Sequence, residues 1–268
     1  MNSSSIKNSW FETKAFLKHW LKAKGPHGVH SPLVYELITK VLPKRNRIFD
    51  FDIIEAERRK LLKDNSIVQV DDFGAGSRVN SSSYRKVSSI AKSALQSAKC
   101  AQAFSKIILH FQTKNILELG TSLGTTTSYF ASTNSNSKIW TIEGAASIYL
   151  RATEVFSNLE LKNIKAFQGT FGDILPLVLE DMKVVDFALI DGHHAYVPTM
   201  KYFNMISDRI HENSIVVLDD IHWSAEMEKA WSDISARSDV TASLDFFHFG
   251  ILFFHSTREK EHFVLKLP

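Results

Sequence analysis

From residue 114 onward, short apolar runs alternate with longer stretches that have helical periodicity. The apolar runs are predicted as strands at 115–119, 138–142, 163–167, 185–190 and 214–218. Stretches compatible with helices separate them, at about 122–133, 145–158, 173–182, 196–211 and 223–236. Strands that alternate with helices indicate βαβ units and a parallel sheet. The nearly continuous apolar character of the runs indicates strands that are buried on both faces.

Two further apolar runs follow, Val240–Phe246 and Phe249–Phe254, with only a tight link between them. The link is too short for a crossover helix, so these two strands are expected to pair antiparallel. Residues 262–267 are expected to form an edge strand or a tail. The whole pattern predicts a Rossmann-like α/β fold. Its sheet would have seven mostly parallel strands, helices on both faces and an antiparallel last strand.

Residues 1–110 lack strong strand signals and are predicted as an N-terminal helical extension, followed by the main domain at 111–268. Trp10, Leu17, Trp20 and Leu21 approximate one face of a first, lysine-rich helix. Such a helix also occurs at membrane surfaces, but docking over a site mouth or on a second subunit is favoured. Further helices are predicted at 32–42, 50–63 and 86–111, and loops that could act as lids at 25–32 and 72–77.

The composition is that of an ordinary globular protein, with 44% hydrophobic and 23% charged residues in a chain of 268. The net charge of +3 is too small to indicate a nucleic-acid partner. The single cysteine, Cys100, excludes an internal disulfide and suits a reducing cytoplasm, which is the expected location. Lysines interrupt every N-terminal apolar run, and stable membrane insertion is not expected.

Acids, glycines and histidines follow all five of the parallel strands. A single acid at a strand end is often only a helix cap. Five such ends in succession indicate a ligand, because ligands of open parallel sheets bind beyond the carboxyl ends of the strands. The candidate residues are, in strand order, Glu118, Gly120, Ser122 and Gly124; Glu143; Gly172 and Asp173; Asp191, His193 and His194; Asp219, Asp220 and His222.

The first of these strand ends reads ELGTSLG, with glycines at 120 and 124. This is neither the dinucleotide fingerprint nor a phosphate-binding P-loop. Glu118 would repel phosphate and would suit a cationic ligand. Gly120 permits a tight turn close to a ligand, and Gly124 lets the next helix begin close against the sheet. Glu143 ends the following strand, where a carboxylate can accept hydrogen bonds from both hydroxyls of a ribose.

These motifs resemble those of class I S-adenosylmethionine-dependent methyltransferases. ELGTSLG is similar to their first motif, TIEG to their acidic second motif, and GD at 172–173 to the loop beside the adenine. The resemblance covers about 112–256 and is strongest to O-methyltransferases of the catechol and caffeoyl-CoA type. It implies S-adenosylmethionine as cofactor, bound by Glu118, Gly120, Ser122, Gly124, Glu143, Gly172, Asp173 and Asp191.

The same resemblance implies a metal site. The related enzymes place a ligand Asp after the fourth strand and an acid pair, often followed by a tryptophan, after the fifth. Asp191, Asp219 and Asp220, with Trp223 beyond them, match this arrangement. Hard oxygen ligands favour Mg²⁺, and a zinc site of two histidines and an aspartate is the weaker alternative. The open alternatives are that Asp219 only caps a helix and that Asp191 only contacts the cofactor.

The catalytic base departs from the family pattern, which has a lysine three positions after the fourth-strand Asp. This chain has His194 there, preceded by His193. A histidine can accept a proton at neutral pH, so His194 is predicted as the base. His193 and Asp191 are the other catalytic candidates, and His222 is assigned a supporting role.

The sequence therefore predicts a methyltransferase that methylates an oxygen of a small-molecule acceptor with help from a divalent metal. All five strand ends are expected to meet at a single crevice. Two alternatives stay open, a non-catalytic module that binds S-adenosylmethionine and an aminopropyltransferase on the same fold. The acceptor's identity is undetermined, and a homodimer is compatible with the sequence.

Overall fold

The computed structural model describes residues 3–43, 51–70, 83–255 and 259–268, without the side chains of residues 3–9. The chain forms two compact units. The first unit combines Met1–Lys44 with Val184–Pro268, and the second is Arg45–Lys183. The boundary expected between residues 110 and 111 stays a prediction.

The helices are named in chain order. They are α1 (Ser3–Lys22), α2 (Pro32–Glu36), α3 (Asp52–Leu61), α4 (Val87–Ala94), α5 (Ala98–His110), α6 (Thr125–Thr133), α7 (Ala146–Asn158), α8 (Phe171–Met182), α9 (Tyr196–Ser207) and α10 (Ala225–Ser235). A single 3₁₀ turn, Pro26–Gly28, precedes α2, and a π-helical turn, Leu37–Val41, continues it. Within the described ranges, no helix combines the length and the apolar character needed to cross a bilayer.

The strands follow the same convention. They are β1 (Ile67–Gln69), β2 (Tyr84–Lys86), β3 (Asn115–Leu119), β4 (Lys138–Glu143), β5 (Ile164–Gln168), β6 (Val185–Ile190), β7 (Ile210–Asp219), β8 (Ala242–Asp245), β9 (Phe249–Phe253) and β10 (Glu261–Val264).

In the second unit, β3, β4 and β5 are parallel neighbours in that order. Leu117 of β3 lies beside Trp140 of β4 in the register of the sheet. Leu117 is fully buried and Trp140 nearly so, as expected for strands covered on both faces. Because all three strands run the same way, the ends of β3 and β4 reach the same edge and place Glu118 and Glu143 near each other.

In the first unit, the strand order is β10-β8-β9-β7-β6. β6 and β7 are parallel, whereas β9 is antiparallel to both β7 and β8. β10 pairs parallel with β8 at the outer edge. The predicted antiparallel pair and the predicted edge strand are therefore confirmed. Counted over both units, the described residues form eight such strands where seven were predicted, and the additional one is the C-terminal edge strand β10.

The predicted α/β fold class is thus confirmed, with two corrections in the N-terminal region. A small antiparallel sheet of β1 and β2 lies in a region expected to lack strands. The single helix predicted over 86–111 is two helices, α4 and α5, separated at Leu95–Ser97. Ser97 caps the second helix by accepting a hydrogen bond from the backbone N–H of Cys100. The loop predicted at 72–77 lies outside the described residues.

Candidate functional site

The turn after β4 presents a carboxylate that the backbone holds in place. Glu143 Oε2 accepts a hydrogen bond from the backbone N–H of Ser122 at 2.9 Å, and Oε1 accepts one from Ala145 at 2.9 Å. Burial raises the pKa of Glu143, while the N–H groups of Ala145, Ser122 and Gly144 oppose that rise. Each carboxylate oxygen keeps a further lone pair, so the carboxylate can accept two hydroxyl hydrogen bonds without leaving its position.

Glu118, at the end of β3, is fully buried. Its Oε2 accepts hydrogen bonds from the hydroxyls of Thr127, in α6, and Thr141, in β4. Its Oε1 has no hydrogen-bond partner among the described residues. Burial raises the pKa of Glu118 to about 7, despite the two threonine hydrogen bonds. Neither threonine was predicted from the sequence, although Thr127 belongs to the row of threonines that opens α6.

The two glycines of the first motif both adopt left-handed backbone conformations, with φ of 103° at Gly120 and 78° at Gly124. Glycine reaches this region without steric cost. A Cβ at Gly124 would lie 2.7 Å from a ring carbon of Phe156 and 3.2 Å from the Cα of Ala152, both in α7. The close approach predicted at Gly124 is therefore present, but it is made to α7 rather than to the sheet.

The Gly172-Asp173 pair lies in the first turn of α8. The Thr170 hydroxyl accepts a hydrogen bond from the backbone N–H of Asp173 and donates one to Asp173 Oδ2 at 2.7 Å. Thr170 is therefore the N-cap of α8, and its side chain is also hydrogen-bonded to that of Asp173. Capping alone accounts for Asp173, and its predicted contact with the cofactor stays a prediction.

In the first unit, the loops after β6 and β7 bring a histidine between two carboxylates. His194 Nε2 is 3.8 Å from Asp191 Oδ1, and His194 Nδ1 is 3.9 Å from Asp220 Oδ2. The His194 ring also lies near Trp223, with 6.3 Å between ring centroids. All three ionisable side chains are partly exposed, His194 at 24%, so solvent and small molecules can reach them.

Backbone strain accompanies these loops. His193 has a φ of 57° and Asp220 a φ of 52°, and in the second unit Ser122 has a φ of 48°. All three are non-glycine residues in the left-handed region, a conformation with a cost of order 1–3 kcal/mol that tends to occur at functional sites. Each follows a different strand whose end was predicted to contribute to the site.

The predicted magnesium site is not supported. Among the described residues, which include Asp191, Asp219 and Asp220, no group of three or more His, Cys, Asp or Glu side chains is arranged to hold a metal ion. The physical reason is visible at His194, whose ring stands between the carboxylates of Asp191 and Asp220. Asp219 is buried at the end of β7.

A second histidine–carboxylate cluster lies deeper in the first unit. His222 Nε2 contacts Asp245 Oδ2 at 2.9 Å and His222 Nδ1 contacts Glu228 Oε1 at 2.8 Å. His19, in α1, reaches the other oxygen of Asp245 at 3.2 Å. The supporting role predicted for His222 stays a prediction. Asp245 and His19 were missed, because no sequence pattern relates residues 226 positions apart.

Burial alone would lower the pKa of His222, but its hydrogen bonds and ion pairs with Asp245 and Glu228 outweigh burial and raise that pKa. Burial opposes ionisation of Asp245, yet the hydrogen bonds from His19 and His222 hold the pKa of Asp245 well below its usual range. His222 and Asp245 therefore each favour the charged form of the other.

Each unit thus gathers its own predicted residues. Glu118, Ser122 and Glu143 come together in the second unit, and Asp191, His194 and Asp220 in the first. The expectation that both groups open into one crevice stays a prediction.

Comparisons with known proteins agree with the motifs. Residues 117–221 match the family described as a methyltransferase domain. A search of the curated proteins found no match.

Solved structures share the fold. The O-methyltransferase TomG from Streptomyces achromogenes, in complex with SAM, is similar with a TM-score of 0.54 at 18% identity over 61% of this chain and 83% of that one. An O-methyltransferase from Bacillus cereus with SAH has a TM-score of 0.52 at 16% identity over 60% and 83%. The SAH-bound Podospora anserina methyltransferase PaMTH1 has a TM-score of 0.59 at 12% identity over 85% and 98%. The match over residues 117–221 and the shared fold therefore confirm the resemblance to methyltransferases that the motifs predicted.

Proposed function

We propose that this protein transfers the methyl group of S-adenosylmethionine to an oxygen of a small-molecule acceptor. The proposed binding of S-adenosylmethionine rests on the geometry of Glu143. Its carboxylate is held by backbone N–H groups on both oxygens, at the end of the strand that follows the first glycine motif. A carboxylate fixed in this way can accept from the two hydroxyls of a ribose.

The remaining cofactor contacts follow the predicted set. Gly120 lets the backbone approach the ligand, and Ser122 links that turn to Glu143. Gly124 keeps α6 close to α7. Glu118, Gly172, Asp173 and Asp191 complete the proposed contacts. The partnerless oxygen of Glu118 supports a role in sensing a cationic ligand, because a positive charge nearby would favour the ionised carboxylate.

S-adenosylmethionine, when bound, supplies a methyl group on a positively charged sulfur. His194 accepts the proton of the acceptor hydroxyl, which leaves an oxygen lone pair that would take this methyl group in exchange for its bond to sulfur. Asp191 and Asp220, on either side of the ring, stabilise the imidazolium that results. A phenol with a pKa of about 10 is mostly neutral at pH 7, so removal of its proton is the step for which the acceptor needs a base.

The mechanism contains no step through a metal, because the donor set of the described residues does not fit one. His193 and Asp219 are assigned to the shape of the two loops rather than to proton transfer. We expect turnover to persist in the presence of a chelator. Loss of turnover with chelator and its return with Mg²⁺ would restore the metal hypothesis and contradict the role given to His194.

Calorimetric titration with S-adenosylmethionine tests the cofactor half. Glu143→Gln removes the charge and one acceptor, so we expect affinity to fall at least about tenfold, as for the loss of a charged hydrogen bond. The matched control is Glu180→Gln, at an exposed position of α8, which should bind as the wild type does. Equal affinities in all three proteins would contradict the site.

Methyl transfer to a panel of phenols and catechols, followed by product mass, tests the chemical half. His194→Ala should lose at least about a hundredfold in turnover, the range of a general base, with cofactor affinity unchanged. His248→Ala, at an exposed position, is the control. Binding without transfer in the wild type would favour a non-catalytic module, and a product gaining an aminopropyl unit would favour the other transferase.

A further inference from the structure

The first helix presents an apolar stripe to solvent. Trp10 is 74% exposed, Leu17 55% and Leu21 77%. Their spacing of seven and four residues puts them in one row along α1. Trp20, beside the row, is 55% exposed. Exposed apolar groups are normal when scattered, but several along one face of a helix indicate an interaction surface.

The opposite face of α1 anchors the helix to its own unit. Ala15 and His19 are buried, and His19 contacts Asp245. The Phe16 ring packs edge-to-face on Phe247 with centroids 5.1 Å apart. Just past the helix, the backbone N–H of Lys24 donates to the carbonyl of Val264 at 2.8 Å. The helix therefore already has its folding contacts on one side, and the apolar stripe is not needed for them.

Lysines flank the stripe. Lys14 and Lys18 lie in the rows next to it, Lys22 ends the helix and Lys24 lies just beyond it; all four are exposed. Glu12 is the one acid among residues 10–24, and it is only partly exposed. The segment thus combines tryptophan and leucine with a net positive charge.

We propose that this face of α1 binds an anionic phospholipid surface. Tryptophan and leucine enter the headgroup region while lysines contact lipid phosphates, the composition typical of helices that lie in the membrane interface. A second copy of this chain is the weaker occupant, because a twofold pairing through the stripe would set the same lysines against each other. The inference is independent of the proposed reaction.

Cosedimentation of the full chain with vesicles tests it. The protein is expected to pellet with vesicles of phosphatidylserine and phosphatidylcholine, to pellet little with phosphatidylcholine alone, and to be released by salt. Lys14→Glu with Lys18→Glu should weaken binding at least about twentyfold, given the contribution of each basic residue near an anionic surface. A combined change of Trp10, Leu17 and Leu21 to Ser should abolish it.

Control variants test whether vesicle binding depends on this surface and not on exposed apolar or basic side chains in general. Leu150→Ser with Leu177→Ser alters apolar side chains that are 58% and 64% exposed elsewhere, and should leave vesicle binding unchanged. Lys63→Glu with Lys162→Glu, at two other exposed lysines, should cost far less than the α1 pair.

Four results would overturn the proposal. They are failure of the wild type to pellet at low salt, equal pelleting with neutral vesicles, wild-type binding by the α1 variants, or a dimer in sedimentation velocity that the α1 variants make monomeric. Thermal unfolding of each variant checks that it is folded. Since cofactor titration is measured without lipid, failure here leaves the proposed reaction unaffected.

Discussion

Two buried carboxylates at strand ends have pKa values that are shifted in opposite directions. Glu118, in the second unit, lies among threonine hydroxyls, and burial raises its pKa to about 7. Asp245, in the first unit, is buried as well, but it faces His19 and His222, whose hydrogen bonds hold its pKa well below the usual range. Burial opposes ionisation in both cases, so the partners decide the outcome.

The difference separates two kinds of structural role. Neutral hydroxyls leave Glu118 ready to change charge near neutral pH, which suits a place beside a cationic ligand. The two histidines keep Asp245 ionised. Asp245 in turn connects α1, which carries His19, to the loop after β7, which carries His222. Variants at the two sites should therefore respond differently to pH and to the loss of a partner.

The largest effect is expected at Asp245. Asp245→Ala leaves the buried His19 and the partly buried His222 without their shared carboxylate. Breaking a buried pair in this way typically costs about 3–5 kcal/mol of unfolding free energy. Urea denaturation near pH 6 measures it. Asp239→Ala breaks the largely exposed pair with Arg237 and should cost at most about 1 kcal/mol; equal losses would contradict the comparison.

The pH dependence of this cluster follows from the two shifts. Asp245 has a lowered pKa, so its contribution is present above its unfolded value of 3.8 and is lost as pH falls. His222 has a raised pKa, so its contribution is complete below 6.5 and is lost as pH rises through the folded value. The difference between wild type and Asp245→Ala should therefore be greatest between pH 3.8 and 6.5.

The stability contributed by Glu118 should depend on pH in the opposite sense to that contributed by Asp245. Its folded pKa is raised from 4.5 to about 7, so stability is complete below 4.5 and falls as pH rises to 7, by about 3 kcal/mol. Glu118→Gln does not titrate and should lack this slope in denaturation curves taken from pH 4 to 8. Glu180→Gln should retain it, and parallel curves for wild type and Glu118→Gln would refute the assignment.

A smaller effect is expected from one of the threonines. Thr127→Val keeps the shape and removes a hydrogen bond to Glu118, at a cost of about 1–2 kcal/mol. The cost should be larger at pH 8, where the carboxylate is ionised, than at pH 5. Thr153→Val, on the exposed side of α7, should change stability by less than about 0.5 kcal/mol at either pH.

The alternation of apolar runs and helical stretches predicted the elements well. The strands at 115–119 and 185–190 agree with β3 and β6, because continuous burial requires continuous apolar sequence. The break between α4 and α5 was missed, since Leu95–Ser97 has no glycine or proline to mark it. The short strands β1 and β2 were missed because three residues carry too little periodicity to detect.

Some features of the candidate site could also be predicted from the sequence, and others could not. Glycines 120 and 124 and the acid Glu143 could be identified from the chain, because tight turns and ribose recognition restrict which residues can serve. The metal site could not be judged from residue types. The carboxylates of Asp191 and Asp220 are both near His194, and whether acids hold a metal or a histidine depends on distances that sequence does not contain.

The sequence by itself determined the order of strands and helices, the glycine turns and the resemblance to methyltransferases, since each depends on local backbone preference or a short motif. Only the tertiary structure decided which carboxylate meets which partner. Thr127 and Thr141 surround Glu118, and His19 reaches Asp245 from the other end of the chain. Charge states follow from neighbours within a few ångströms, and folding brings together residues that lie far apart in the sequence.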